Sequence, residues 1–211
     1  PVSRDVEAVI RSLRSLGAGI TAEKGMRGSH EFCSEDEMND GLVFRTYWTM
    51  SPFKYQFRVP ENKKFRILSH YATAAEEVLN NFTRNDMTGR KIVGAATVIW
   101  ERPDGTRVAF IGWDGFQTLE ANSTRMIFLN RIADWVSHET LPVLAATPVQ
   151  QLFVPRIDAK GNLKTVAIIN PSIGHSMPFE LKMRGVPAGR QTAELHCPGE
   201  KTVALPITRR G

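Results

Sequence analysis

Four carboxylates, a histidine near a cysteine, and two aromatics beside a glycine-rich loop are the residues that could do chemistry in this chain. Glu101, Asp104, Asp114 and Glu120 are the candidates for a carboxylate pair. Such a pair hydrolyses a glycosidic bond when an acid and a nucleophile or base stand roughly 5–10 Å apart. Glu101 and Asp104 flank a turn, where acidic residues serve backbone conformation. Asp114, in Gly112-Trp113-Asp114-Gly115-Phe116, follows a strand end, where open α/β sheets place ligand-binding loops. No pair can be assigned, so the sequence names no catalytic residue. It does name Trp113, Asp114 and Phe116 as a ligand-binding loop, the aromatics being able to stack on a sugar. Tyr47 and Trp48 are a second aromatic pair.

His30 and Cys33 are spaced as zinc ligands can be, with Glu31, Glu35 and Asp36 nearby. A structural site needs a second ligand pair, and His70, His138, His175 and His196 occur singly. A solvated polar loop is the expected state, with no metal. Neither Cys33, in Glu31-Phe32-Cys33-Ser34-Glu35, nor Cys197, before Pro198, sits on the sharp small-residue turn that a nucleophile requires. No Gly-x-Ser-x-Gly elbow occurs, and no Gly-x-Gly-x-x-Gly or phosphate-cradling lysine loop implies a nucleotide, so no cofactor is expected.

The elements that would position these residues are legible from periodicity. Val6, Val9, Ile10, Leu13 and Leu16 recur at helical spacing, with Gly17 suited to the left-handed cap. Gly19 to Glu23 reads as a strand, and the helix-to-strand step suggests a parallel sheet that has lost an earlier strand. Leu42 to Met50 and Phe65 to Tyr71 read as strands, and Ala72 to Phe82 as a helix. Ile92 to Trp100 and Arg107 to Ile111 form a hairpin about Pro103-Asp104-Gly105-Thr106. A helix from Ser123 to Ser137 carries Met126, Leu129, Ile132, Ala133 and Val136 on one stripe. After Leu141-Pro142 the pattern changes to short strands: Gln150 to Ile157, Leu163 to Asn170, Phe179 to Met183, Ala193 to Cys197 and Thr202 to Ile207. Short strands at close spacing predict a small antiparallel sandwich.

The chain's 211 residues allow two small domains, here residues 1–141 and 142–211. Net charge is +5 with a pI near 9.4, but the basic residues scatter instead of forming a patch, so nucleic acid is not an expected partner. No apolar run approaches the roughly 20 residues of a membrane helix, and no secretory signal is visible. The compartment stays open, since two distant cysteines neither demand nor exclude a disulfide. The start PVSRDVEAVI, lacking Met, suggests a piece of something longer.

The order of elements resembles the C-terminal half of bacterial β-galactosidase-like glycoside hydrolases, which carry a catalytic barrel, an amidotransferase-like trimerisation domain and a small β-domain. The residues behind the resemblance are Gly94-Ala95-Ala96-Thr97-Val98, Gly105 to Asp114, Leu129 to Val136, Leu141-Pro142-Val143 and Pro155 to Leu163. It covers Lys91 to Gly185, while Ser3 to Glu23 agrees in pattern and Lys24 to Ala74 does not match. The resemblance implies an α/β, flavodoxin-like sheet with flanking helices, followed by a β-sandwich. It also implies a non-catalytic assembly and packing region of a carbohydrate-active protein. The catalytic glutamates of such enzymes lie on the barrel, which no part of this chain resembles, so none is carried over. The partners implied are further copies of the chain or a catalytic domain, with carbohydrate as a ligand. The competing readings are a carboxylate-dependent glycoside hydrolase and a carbohydrate-binding module, both using the Trp113-Asp114 loop.

Overall fold

The computed structural model describes residues 6–25, 30–42, 47–48, 55–61, 64–73, 91–113, 123–146, 151–170 and 178–209. The chain divides into two units, Pro1–Glu139 and Thr140–Gly211.

The first unit begins with helix α1 (Val6–Ser15), then strands β1 (Thr21–Lys24) and β2 (His30–Cys33), and a 3-10 turn at Glu37–Asn39. Strands β3 (Tyr47–Trp48), β4 (Tyr55–Arg58), β5 (Phe65–Ala72), β6 (Ile92–Glu101) and β7 (Arg107–Ile111) follow, then helix α2 (Ser123–Val136). The strands make one seven-stranded sheet in the order β1-β4-β6-β5-β2-β3, with β7 also on β6. Every pairing in it is antiparallel.

This corrects the expected flavodoxin-like α/β fold. The described residues are 43% strand and 17% helix, with two α-helices among them, and their sheets are antiparallel. A flavodoxin-like sheet requires parallel strands joined by crossover helices. The step from α1 into β1 occurs as read, but β1 pairs antiparallel with β4, Ala22 opposite Phe57. The helix expected from Ala72 to Phe82 lies mostly outside the described residues; Ala72 itself ends β5.

Strand β6 organises the unit. Along one side it carries β5. Its other side is shared end to end: Ala95 faces Phe57 of β4, while Thr97 to Glu101 face β7. Gly112 is the splice. Its N–H donates to Ala96 O at 2.8 Å and its carbonyl accepts from Tyr55 N. A Cβ there would run into the Tyr55 carbonyl, so only glycine admits this approach.

The two helices cover opposite faces of the sheet. Val108 and Phe110 of β7 join the cluster under α1, with Leu13, Phe57, Val98 and Trp100. Their alternates Ala109 and Ile111 pack in the clusters under α2, with Phe128, Leu129 and Ile132. Helix α1 forms because Val9, Ile10, Leu13 and Leu16 share one stripe, with Glu7 and Arg14 suiting its dipole and Gly17 leaving at φ +65°. Burying Leu13 alone contributes about 1.5–3 kcal/mol. The β6–β7 turn closes as its residues dictate: Asp104 Oδ1 accepts from Thr106 N at 3.0 Å and Gly105 takes φ +82°.

Among the described residues, the second unit holds three two-stranded antiparallel ladders. Strand β8 (Val143–Ala145) pairs with β11 (Leu181–Met183), β9 (Leu152–Ile157) with β10 (Leu163–Ile169), and β12 (Thr192–Leu195) with β13 (Val203–Pro206). Separate ladders replace the expected sandwich. The β9–β10 turn is held by Asp158, whose carboxylate accepts from Lys160 N, Asn162 N and Asn162 Nδ2 and pairs with Lys164 at 3.0 Å. These contacts, the hydrogen bonds from Asn162 first, hold its carboxyl well below the usual carboxylate range.

Candidate functional site

A buried convergence of polar side chains lies under α2. Glu31 on β2 stands opposite Tyr71 on β5, and Cys33 opposite Ser69. Ser69 faces Thr97 on β6. Ser69 Oγ donates to Glu31 Oε1 at 2.5 Å, and Arg125 Nη2 from α2 donates to Glu31 Oε2. Glu31 and Arg125 are each 1% exposed. The Arg125 guanidinium lies 4.0 Å from the centroid of the Trp113 ring. A charge pair this deep persists only when both members are hydrogen-bonded, and the stacked indole replaces part of the guanidinium's lost hydration.

The neighbours of the pair are held neutral. Burial raises the Tyr71 phenol well above its ordinary value, and the Glu31 carboxylate adds to that. Burial, again with Glu31, pushes the Cys33 thiol up to about 12, against a smaller opposing pull from Arg125. A thiol so placed stays protonated and is a poor nucleophile. Cys33 and Cys197 are both free. Trp113 Nε1 and Thr97 Oγ1 are buried without a hydrogen-bond partner among the described residues. The arrangement can join a helix to a sheet through charge. Among its described residues, the carboxylate is engaged by Ser69 and Arg125 and the thiol stays protonated.

Of the ligand loop read from sequence, Trp113 is 6% exposed and under Arg125, while Asp114 and Phe116 lie outside the described residues. Of the four candidate carboxylates, Glu101 and Asp104 are among the described residues. Glu101 pairs with Arg107 at 3.1 Å, Asp104 caps its turn, and Asp114 and Glu120 fall outside the described residues. The side chains of His30, Tyr47 and Trp48 are likewise outside what is described. Asp36 accepts from Met38 N and binds Arg66 at 2.6 Å. Among the described residues no three His, Cys, Asp or Glu side chains converge as metal ligands.

Glu31 and Arg125 were not recognised in the sequence as a pair. One signal was available: Arg125 precedes Phe128, Leu129 and Ile132 at spacings of three, four and seven, which puts a cation on the apolar stripe of α2. A buried arginine demands a carboxylate, and Glu31 inside a strand is the match.

Comparison with protein-family models, curated proteins and solved structures gives no significant match for this chain.

Proposed function

We propose that the chain is a non-catalytic assembly and packing region, serving a carbohydrate-active protein of the kind its sequence resembles. One observation carries the assembly reading. All the large hydrophobic residues that stand exposed among the described residues, Ile92 apart, belong to strands of the second unit. On β9–β10, Leu152 lies opposite Ile169 and Val154 opposite Ala167. Leu152 is 58% exposed, and Val154 and Ile169 are each 49% exposed. Side chains paired across strands share a face, so this is a continuous aliphatic strip, the kind of surface that a second protein surface covers. The carbohydrate link rests on the sequence resemblance. A sugar platform at Trp113 draws no support from a ring already stacked against a guanidinium.

The test is the mass of the purified chain in solution across a concentration series, beside the Leu152→Glu/Val154→Glu double variant. Association of the wild type, abolished in the variant, is the expected result. A wild type that stays monomeric throughout would overturn the assembly reading.

A further inference from the structure

On the first unit, the start of β5, the end of β6 and the last turns of α2 line an open cleft of about 630 Å³. That volume suits a small ligand. Ile99 and Trp135 line it, with Lys64, Arg66 and Arg102 as cations against the single carboxylate of Glu101. Glu101 is engaged by Arg107 at 3.1 Å, Arg66 by Asp36 and Glu37, and Arg102 by Asp104, which leaves Lys64 as the cation of this lining with no ion-pair partner among the described residues.

Two of these cations carry uncommitted donors. Arg66 Nε donates to Asp36 Oδ2, and Nη2 donates to Asp36 Oδ1 and Glu37 Oε1. Asp36 is in turn held by its own cap on Met38 N. The guanidinium is thus fixed from behind, while its Nη1 makes no hydrogen bond to the described residues. Lys64 has no ion-pair partner among them either. Arg102 reaches only Asp104, at 3.3 Å. A lining guanidinium immobilised on one edge keeps its remaining N–H groups for an oxyanion. Trp135, half-buried with the Arg107 guanidinium 4.9 Å from its ring centroid, and Ile99 give the cleft an apolar wall.

We propose that this cleft binds a small ring compound bearing an oxyanion, carboxylate or phosphate, with the anion at Lys64 and Arg66 and the ring against Trp135. Binding here is independent of assembly through the second unit. The test is titration of the ¹⁵N-labelled chain, following the indole N–H of Trp135, assigned by its loss in Trp135→Phe. The probes are glucuronate, a hexose phosphate, benzoate, neutral glucose, acetate and inorganic phosphate.

At least one charged ring probe should shift the Trp135 signal saturably at millimolar concentration, and more tightly than glucose, acetate or phosphate. Comparing glucuronate and benzoate with the hexose phosphate tells which oxyanion is preferred. Lys64→Ala, a change at an exposed side chain, should weaken binding by about tenfold, as loss of one charge-assisted hydrogen bond entails. Shifts absent with every ring anion would overturn the proposal. So would affinity no better than for the ringless anions, or affinity unchanged in Lys64→Ala.

Discussion

At the scale of residues, the Glu31–Arg125 pair matters most, because its two members cannot be treated separately. Arg125→Met would leave the Glu31 carboxylate buried with Ser69 as its hydrogen-bond donor. Removing one partner of a buried ion pair costs about 3–5 kcal/mol, whereas replacing both with apolar groups can be close to neutral. In urea denaturation, Arg125→Met and Glu31→Leu should each lose stability of that order, and the double variant should lose far less than their sum. Additive losses would mean the pair is not coupled. Arg125→Lys should also be destabilising, since an ammonium does not stack on Trp113 as a planar guanidinium does.

At the scale of elements, the splice at Gly112 is the most sensitive joint. A methyl there meets the Tyr55 carbonyl and lies 3.0 Å from that of Ala96, and both are backbone. At Gly94 the Cβ would instead meet the Gln56 side chain at 3.0 Å, which can swing aside. Gly112→Ala should therefore cost on the order of 3 kcal/mol and Gly94→Ala clearly less, by thermal or urea unfolding. Equal losses would show that β4 and β7 are not in tight apposition.

The same elements show what was legible. The hairpin of β6 and β7, helices α1 and α2, and β5 follow from side-chain period and turn chemistry, which act over a few residues. Strand direction does not, because it depends on which distant strand is the partner. Four residues, Tyr55–Arg58, decide that β1 runs antiparallel, and they carry no stripe that announces it. The order of helix and strand along the chain is compatible with either direction. The sequence offers Trp113 as a ligand-stacking aromatic at a strand end, and the cation that covers it comes from α2, beyond the loop. Strand β8 was passed over as a connection, being three residues long beside Pro142.

At the scale of the whole molecule, two of the shifted groups, His70 and Asp36, show how stability follows pH. Burial holds the His70 imidazole below its ordinary 6.5, so the folded chain keeps it neutral while the unfolded chain takes up a proton. Stability is therefore undiminished above about pH 6.5 and falls as pH drops from there towards the folded value. Asp36 acts lower. Burial opposes its charge, but the hydrogen bonds from Arg66 and Met38 N outweigh that, and its carboxyl is held below 3.8. Its contribution is present above 3.8 and is lost as pH falls below it. Melting temperature should decline from pH 7 to 5, and His70→Gln should flatten that decline. An unaltered slope in the variant would assign the loss elsewhere. No helix among the described residues is long and apolar enough to cross a membrane.

The shared edge of β6 also sets an order of events as the chain folds. Its β7 neighbour arrives by closing one tight turn, whereas β4 must return from a stretch of chain on the far side of β5 in sequence. Closing the longer loop carries the larger entropic cost, so the local hairpin forms first and β4, with β1 beyond it, is added late. In that interval the first half of β6 is a bare strand edge. A nascent chain is then most open to mispairing with another copy, and the glycine that lets β4 seat against β7 is also what ends that exposure.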